Sequence, residues 1–181
     1  ANSGDNITVG ALANTKVDKL GNTVYAESKS ATLDDTALGS MATAVKADAA
    51  GSREITITGA NGVAVTATIA QDENVTNDEA LGKVIQAINS KTADTGVTAF
   101  LEVDSAGAKT IAFRATANDS NLASGVTVSG AGLATQTLTQ TTTVGIDKVD
   151  IGTQKGAWEA LQQIDKAIDK VNTARGELGA I

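Results

Sequence analysis

The stretch from Thr153 to Ile181 constrains the fold more than any other part of the chain. Its apolar or small positions are Ala157, Leu161, Ile164, Ile168, Val171 and Leu178. The gaps run 4, 3, 4, 3 and then 7, with Arg175 in the skipped slot. That is the a/d seam of a heptad, so the spacing predicts a long helix of coiled-coil type with one polar interruption. A lone helix with such a seam has nothing to bury it against, and its partner is expected outside this chain. Ala160, Ala167 and Ala174 make a second stripe, seven residues apart, where small side chains let another helix come close. Four cations (Lys155, Lys166, Lys170, Arg175) balance four anions (Glu159, Asp165, Asp169, Glu177). The net charge of −7 therefore lies upstream, and the chain divides near residue 150.

The upstream part reads as α+β. Asn6-Ile7-Thr8-Val9 is a short strand candidate, and Thr23 to Tyr25 a weaker one. Asp34-Asp35-Thr36 opens a helix with Leu38, Met41 and Val45 on one face, expected to end at Gly51. Ile55-Thr56-Ile57 and Val63 to Ile69 alternate apolar and polar residues around Gly59-Ala60-Asn61-Gly62, which predicts a β-hairpin. Thr76 and Glu79 have capping-box spacing ahead of Leu81, Val84, Ile85 and Ile88, a helical face. Thr95-Gly96 is a stop. Val97 to Val103 and Lys109 to Ala115 return to strand across Ser105-Ala106-Gly107, and Val126 to Val128 adds a further strand. The order β-β-α-β-β predicts a helix on one face of a largely antiparallel sheet. Residues 129–145, rich in Gly and Thr, read as an extended linker or edge strand.

Composition removes most reactive chemistry. The chain has no Cys, His or Pro, one Trp, one Tyr and two Phe. Nucleophile triads that need His, thiolate or imidazole metal sites, and disulfides are thereby excluded. The acidic balance has the wrong sign for a duplex nucleic-acid binder, and few rings are present on which to stack bases. Val, Ile, Leu and Phe make up only about a fifth of the chain, so the core is expected to be thin. No run reaches the roughly 18 apolar residues of a membrane helix, so no membrane insertion is expected. Ala1 opens a polar segment and the only Met is Met41, so we expect no signal peptide and read the chain as a fragment or a processed product. Gly130-Ala131-Gly132 is loosely like a dinucleotide loop but lacks its third glycine, and a turn is the simpler reading. Asp34-Asp35 and Asp72-Glu73 are formal carboxylate pairs without the aromatic platforms of sugar-cleaving sites, and read as solvated surface. The sequons at Asn6, Asn74 and Asn118 are at chance level in so Thr- and Ser-rich a chain. Trp158 reads as helix or interface packing. No catalytic, cofactor or metal residues are assigned, and no enzymatic activity is expected.

The end of the chain resembles a known family. Asp150-Ile151-Gly152-Thr153-Gln154-Lys155-Gly156-Ala157 leads into Ala160-Leu161-Gln162-Gln163-Ile164-Asp165-Lys166-Ala167-Ile168. It closes with Val171-Asn172-Thr173-Ala174-Arg175-Gly176-Glu177-Leu178-Gly179-Ala180-Ile181. This run is similar to the start of the C-terminal rod segment of bacterial flagellins, with Gly152 where Ser is usual. Asn2-Ser3-Gly4-Asp5-Asn6-Ile7-Thr8-Val9 resembles the segment that follows the N-terminal rod helices. Ile57-Thr58-Gly59, Ile88-Asn89 and Thr95-Gly96-Val97-Thr98-Ala99 resemble the "IN" motif of flagellins and hook-associated proteins.

The resemblance implies a fold and a role. Residues 1–25 would end the N-terminal rod segment, 26–146 would form the outward variable (D2-like) domain with the motif at about 53–115, and 147–181 would begin the C-terminal D1 rod helix. The fold would be a mainly antiparallel β domain with one or two packed helices, followed by the long helix. The protein would be a secreted structural subunit of the extracellular filament used for motility. Its partners would be other flagellin subunits, packed through Ala157, Leu161, Ile164, Ile168, Val171 and Leu178, and an export chaperone. In flagellins that Toll-like receptor 5 recognises, the face matching Ile164 and Ile168 belongs to the recognised region. A hook-associated junction or cap protein, and a secreted adhesin or glycan-binding module, are the alternatives.

Overall fold

The computed structural model describes residues 24–116, 125–141 and 150–179. The strand expected at Asn6 to Val9, the rod-segment likeness at Asn2 to Val9, and the Asn118 sequon lie outside the described residues. The chain divides into two units: Val24–Thr141, and a second whose described part is 150–179.

Val24–Thr141 is an α+β unit. Strand β1 (Tyr25–Lys29) begins where the sequence suggests only a weak candidate, and runs on through two charged residues. Helix α1 (Asp35–Lys46) starts on the Asp34 carboxylate, which accepts the Ala37 N–H at 2.8 Å. It stops at Ala47, short of Gly51, because other segments take up its last carbonyls. The Asp72 N–H donates to Val45 O (3.1 Å), Gln71 Nε2 to Lys46 O (3.0 Å) and Arg53 Nε to Ala47 O (3.0 Å). With these acceptors filled, the chain turns out of the helix without a left-handed glycine. Residues Ala50–Arg53 form a 3₁₀ turn into β2 (Glu54–Thr58), which pairs with β3 (Ala64–Thr68) across the expected hairpin.

Helix α2 (Asn77–Asn89) is capped by Thr76 Oγ1, which accepts the Glu79 N–H at 3.2 Å. The four-residue helix α3 (Thr92–Thr95) ends at Gly96 in a left-handed conformation. Strands β4 (Val97–Val103) and β5 (Lys109–Thr116) form the second hairpin. Asp104 Oδ1 holds its turn by accepting the Ala106 and Ala108 N–H groups, both at 2.9 Å. Then come β6 (Val126–Gly130) and β7 (Leu133–Gln140).

The strands form one sheet in the order β3-β2-β6-β7-β1-β5-β4, with every pairing antiparallel. Strands β6, β7 and β1 lie between the two hairpins of the β-β-α-β-β pattern. One expectation needs correction. Residues 133–140 are neither linker nor edge: β7 is the central strand, bonded to β6 and β1. Its Thr-rich sequence suits a strand because β-branched side chains pack on a pleated surface. Gly130, Ala131 and Gly132 all have positive φ and make the β6–β7 turn. Side chains on the two glycines would collide with the Glu54 and Ser40 carbonyls, so the turn lies against β2 and α1.

Helices α1 and α2 contribute Leu38, Met41, Val45, Ala80, Leu81, Val84 and Ile88 to the core. The sheet meets them with Ala26, Ile55, Ile57, Val97, Ala99, Ile111, Phe113, Ala115, Val126, Val128 and Leu138. Ile85 is only partly buried, at the margin of that face. In the β1–β5 ladder, Arg114 lies opposite Glu27, with an ion pair at 3.3 Å and the guanidinium 5.7 Å from the Tyr25 ring centre.

The second unit contains α4 (Gln154–Gly179), a 26-residue helix. Thr153 Oγ1 accepts the Gly156 N–H at 2.9 Å and caps its first turn. The expected long helix is present, but no second helix of a coiled coil lies among the described residues of this unit.

Candidate assembly interface

Helix α4 carries two neighbouring stripes with opposite exposure. Gly156, Ala160, Gln163 and Ala167 are buried, at spacings of 4, 3 and 4, and Ala174 is half-buried. The larger apolar residues beside them face outward: Leu161 is 59% exposed, Ile164 38%, Ile168 52%, Val171 38% and Leu178 57%. Ala157 is half-buried, Arg175 is exposed, and Trp158 is half-buried. The 3.6-residue turn puts Ala160 next to Leu161 and Ala167 next to Ile168, so one helix presents a small-residue face and an apolar face side by side. Ile164, Ala167, Ile168, Val171 and Asn172 line an open groove where the two meet.

Aliphatic side chains exposed in heptad register resemble the contact surface of a helix pair more than a solvated face. The buried stripe also holds a polar irregularity. Gln163 is 2% exposed and its Oε1 has no hydrogen-bond partner. A buried acceptor left in that state costs about 1–3 kcal/mol.

The three motif segments of the β unit come together in space. Ile88 is fully buried in the core. Asn89 Nδ2 donates to Ala99 O at 3.0 Å, and the Ala99 N–H donates to Asn89 Oδ1 at 2.7 Å. Strand β4 ends the sheet order, so one side of its backbone has no strand partner among the described residues, and the Asn89 carboxamide takes that place. Thr92 Oγ1 donates to Val97 O (2.7 Å) and the Val97 N–H to Thr95 Oγ1 (3.1 Å), extending the cover by one pleat. Gly59 lies against this knot, where any Cβ would strike the Thr95 carbonyl. The motif is thus an edge closure and a packing point. Its sequence signal, an Asn at a helix end ten residues before a strand Ala, does not reveal that the two carboxamide bonds exist.

The other singled-out residues are structural. Asp34 caps α1, and Asp35 lies in its first turn. Asp72 accepts the Asn74 N–H at 3.0 Å and faces Lys83 at 3.9 Å. Gly130-Ala131-Gly132 is a hairpin turn. Two polar grooves border β5, one lined in part by Lys29, Ser30, Glu102 and Asp104, the other by Asp35, Thr76, Asp78 and Lys109. Lys109 pairs with Asp78, and Lys29 with Glu102 at 3.3 Å, which leaves each groove one carboxylate in excess, Asp104 in the first and Asp35 in the second. Among the described residues no cluster of three or more His, Cys, Asp or Glu could hold a metal ion, and no helix is long and apolar enough to cross a membrane.

No known family profile matches the chain. Among solved structures, the D1-D2-D3 domains of the flagellar cap protein FliD from Escherichia coli are similar to it with a TM-score of 0.31 and 12% identity. That alignment covers 88% of this chain and 56% of the cap-protein chain, so this chain spans about half of that length.

Proposed function

We propose that this chain is a segment of a structural subunit of the bacterial flagellar filament, a flagellin. It would comprise the outward variable domain and the start of the returning rod helix. The observation that carries the reading is the exposed heptad seam Leu161, Ile164, Ile168, Val171 and Leu178 on α4. It lies in the same residues that resemble the flagellin rod. In this reading the protein works by packing and not by catalysis. The seam meets rod helices outside this chain, the subunit is exported to the extracellular filament, and an export chaperone holds it beforehand. Ile164 and Ile168 lie on the face that an innate receptor of the Toll-like receptor 5 type would touch.

The test uses the full-length gene product. Leu161→Asp and Ile168→Asp place a charge in the proposed seam and are expected to abolish filaments and swimming, since an unpaired buried charge costs about 3–5 kcal/mol. Filaments of normal mass in both mutants would sink the reading. Chain 1–181 alone is expected to form no regular filaments in polymerising salt.

A hook-associated or cap subunit is the second reading, since the residues that build the edge closure at Asn89 resemble a motif that hook-associated proteins have in common with flagellins. Continuation beyond Ile181 into another long heptad helix, together with in vitro polymerisation of the full-length product, separates a filament subunit from a cap.

A further inference from the structure

The turn between β2 and β3 holds a reactive pair that assembly leaves unused. We propose that Asn61 is a site of spontaneous deamidation in the folded protein. Asn61, Gly62 and Val63 are all exposed. The following residue is glycine, so no side chain obstructs its peptide nitrogen, and a Cβ there would have no other group within 4 Å. The Val63 N–H donates to Asn61 Oδ1 at 3.1 Å.

That hydrogen bond lies where the reaction needs it. Gly62 N loses its proton to solvent hydroxide and attacks Asn61 Cγ. Negative charge develops on Oδ1, where the Val63 N–H already stands as a donor. The Cγ–Nδ2 bond then breaks, and the amide nitrogen leaves as ammonia with a proton taken from water. The product is a five-membered cyclic imide. Water opens it at either carbonyl to give aspartate or isoaspartate, and the chain gains one negative charge. The opposing contact is the Gly62 N–H bond to Gly59 O at 3.0 Å, which has to open before attack. Other asparagines are held differently. Asn89 has both carboxamide groups bonded to Ala99 and is followed by Ser90. Asn74 is followed by the buried, β-branched Val75.

The test incubates chain 1–181 in mildly alkaline buffer made with heavy-oxygen water, sampled while its circular dichroism stays native, and maps the peptides by mass spectrometry. The peptide holding Asn61 is expected to convert several-fold faster than the peptide holding Asn89. It should take up one heavy oxygen atom and split into aspartate and isoaspartate forms. Conversion of Asn61 no faster than Asn89 overturns the proposal. Gly62→Ala is expected to slow the conversion several-fold, and an unchanged rate there also overturns it. Should that variant fail to fold, Asn61→Gln keeps Gly62 in place, and its turn peptide is expected to gain no acidic group at residue 61 over the same period. Acid formation in that peptide at the parent rate counts against the mechanism.

Discussion

Asn89 stands in for a strand that β4 lacks. Its carboxamide offers one donor and one acceptor with the spacing of a peptide group, and both are used by Ala99. Asn89→Ala leaves that N–H and C=O without their partner and is expected to lower the stability of the β unit by about 1–3 kcal/mol in urea unfolding. Asn89→Asp keeps the acceptor but loses the donor, and at neutral pH sets a carboxylate facing the Ala99 carbonyl. It should cost at least as much as the alanine change. Equal midpoints for parent and both variants would mean that the edge needs no closure. The motif residues were visible in the sequence, but a carboxamide pair bridging ten residues leaves no periodic trace.

Helix α1 shows how an element's length is set from outside it. Gly51 reads as the stop in sequence, yet the helix ends earlier because Arg53, Gln71 and Asp72 supply donors to its last carbonyls. Arg53→Ala is expected to destabilise by about 1–3 kcal/mol and to speed amide exchange selectively in the last turn of α1. Uniform exchange changes across the unit would point instead to a general loss of packing. For α4 the two stripes predict opposite outcomes. In chain 1–181, Ile168→Asp on the exposed seam should change thermal stability by no more than about 0.5 kcal/mol. Ala167→Leu on the buried stripe should cost about 1–3 kcal/mol through overpacking. Reversal of that order would show that the seam is already covered. The heptad was legible from spacing, but which stripe is buried was not, because hydrophobicity favours the larger residues and the buried positions hold Gly, Ala and Gln.

At the scale of the whole molecule, both hairpins were legible from alternation and turn residues. Their placement was not, because periodicity reports which face a residue takes and nothing about which strand lies beside it. Strand β7 was read as a linker or edge strand, and its central place was missed, for a related reason. Its pattern is mostly Thr, with only Leu133 and Leu138 to mark a core side. Yet β7 joins the two halves of the sheet by pairing with β6 on one side and β1 on the other. Ending the chain before Leu133 is therefore expected to leave residues 24–132 without cooperative thermal unfolding, although both hairpins are intact. A sharp transition in that truncated chain would count against β7 as the joint. The same strand order carries a consequence for synthesis. A ribosome delivers β1 early and β7 last, and Ala26 waits for Gln140 before its ladder is complete. Closing so long a loop is entropically slow. Until its final strand emerges, the nascent unit is thus expected to hold two separate three-stranded pieces, β3-β2-β6 and β1-β5-β4, with no strand to join them.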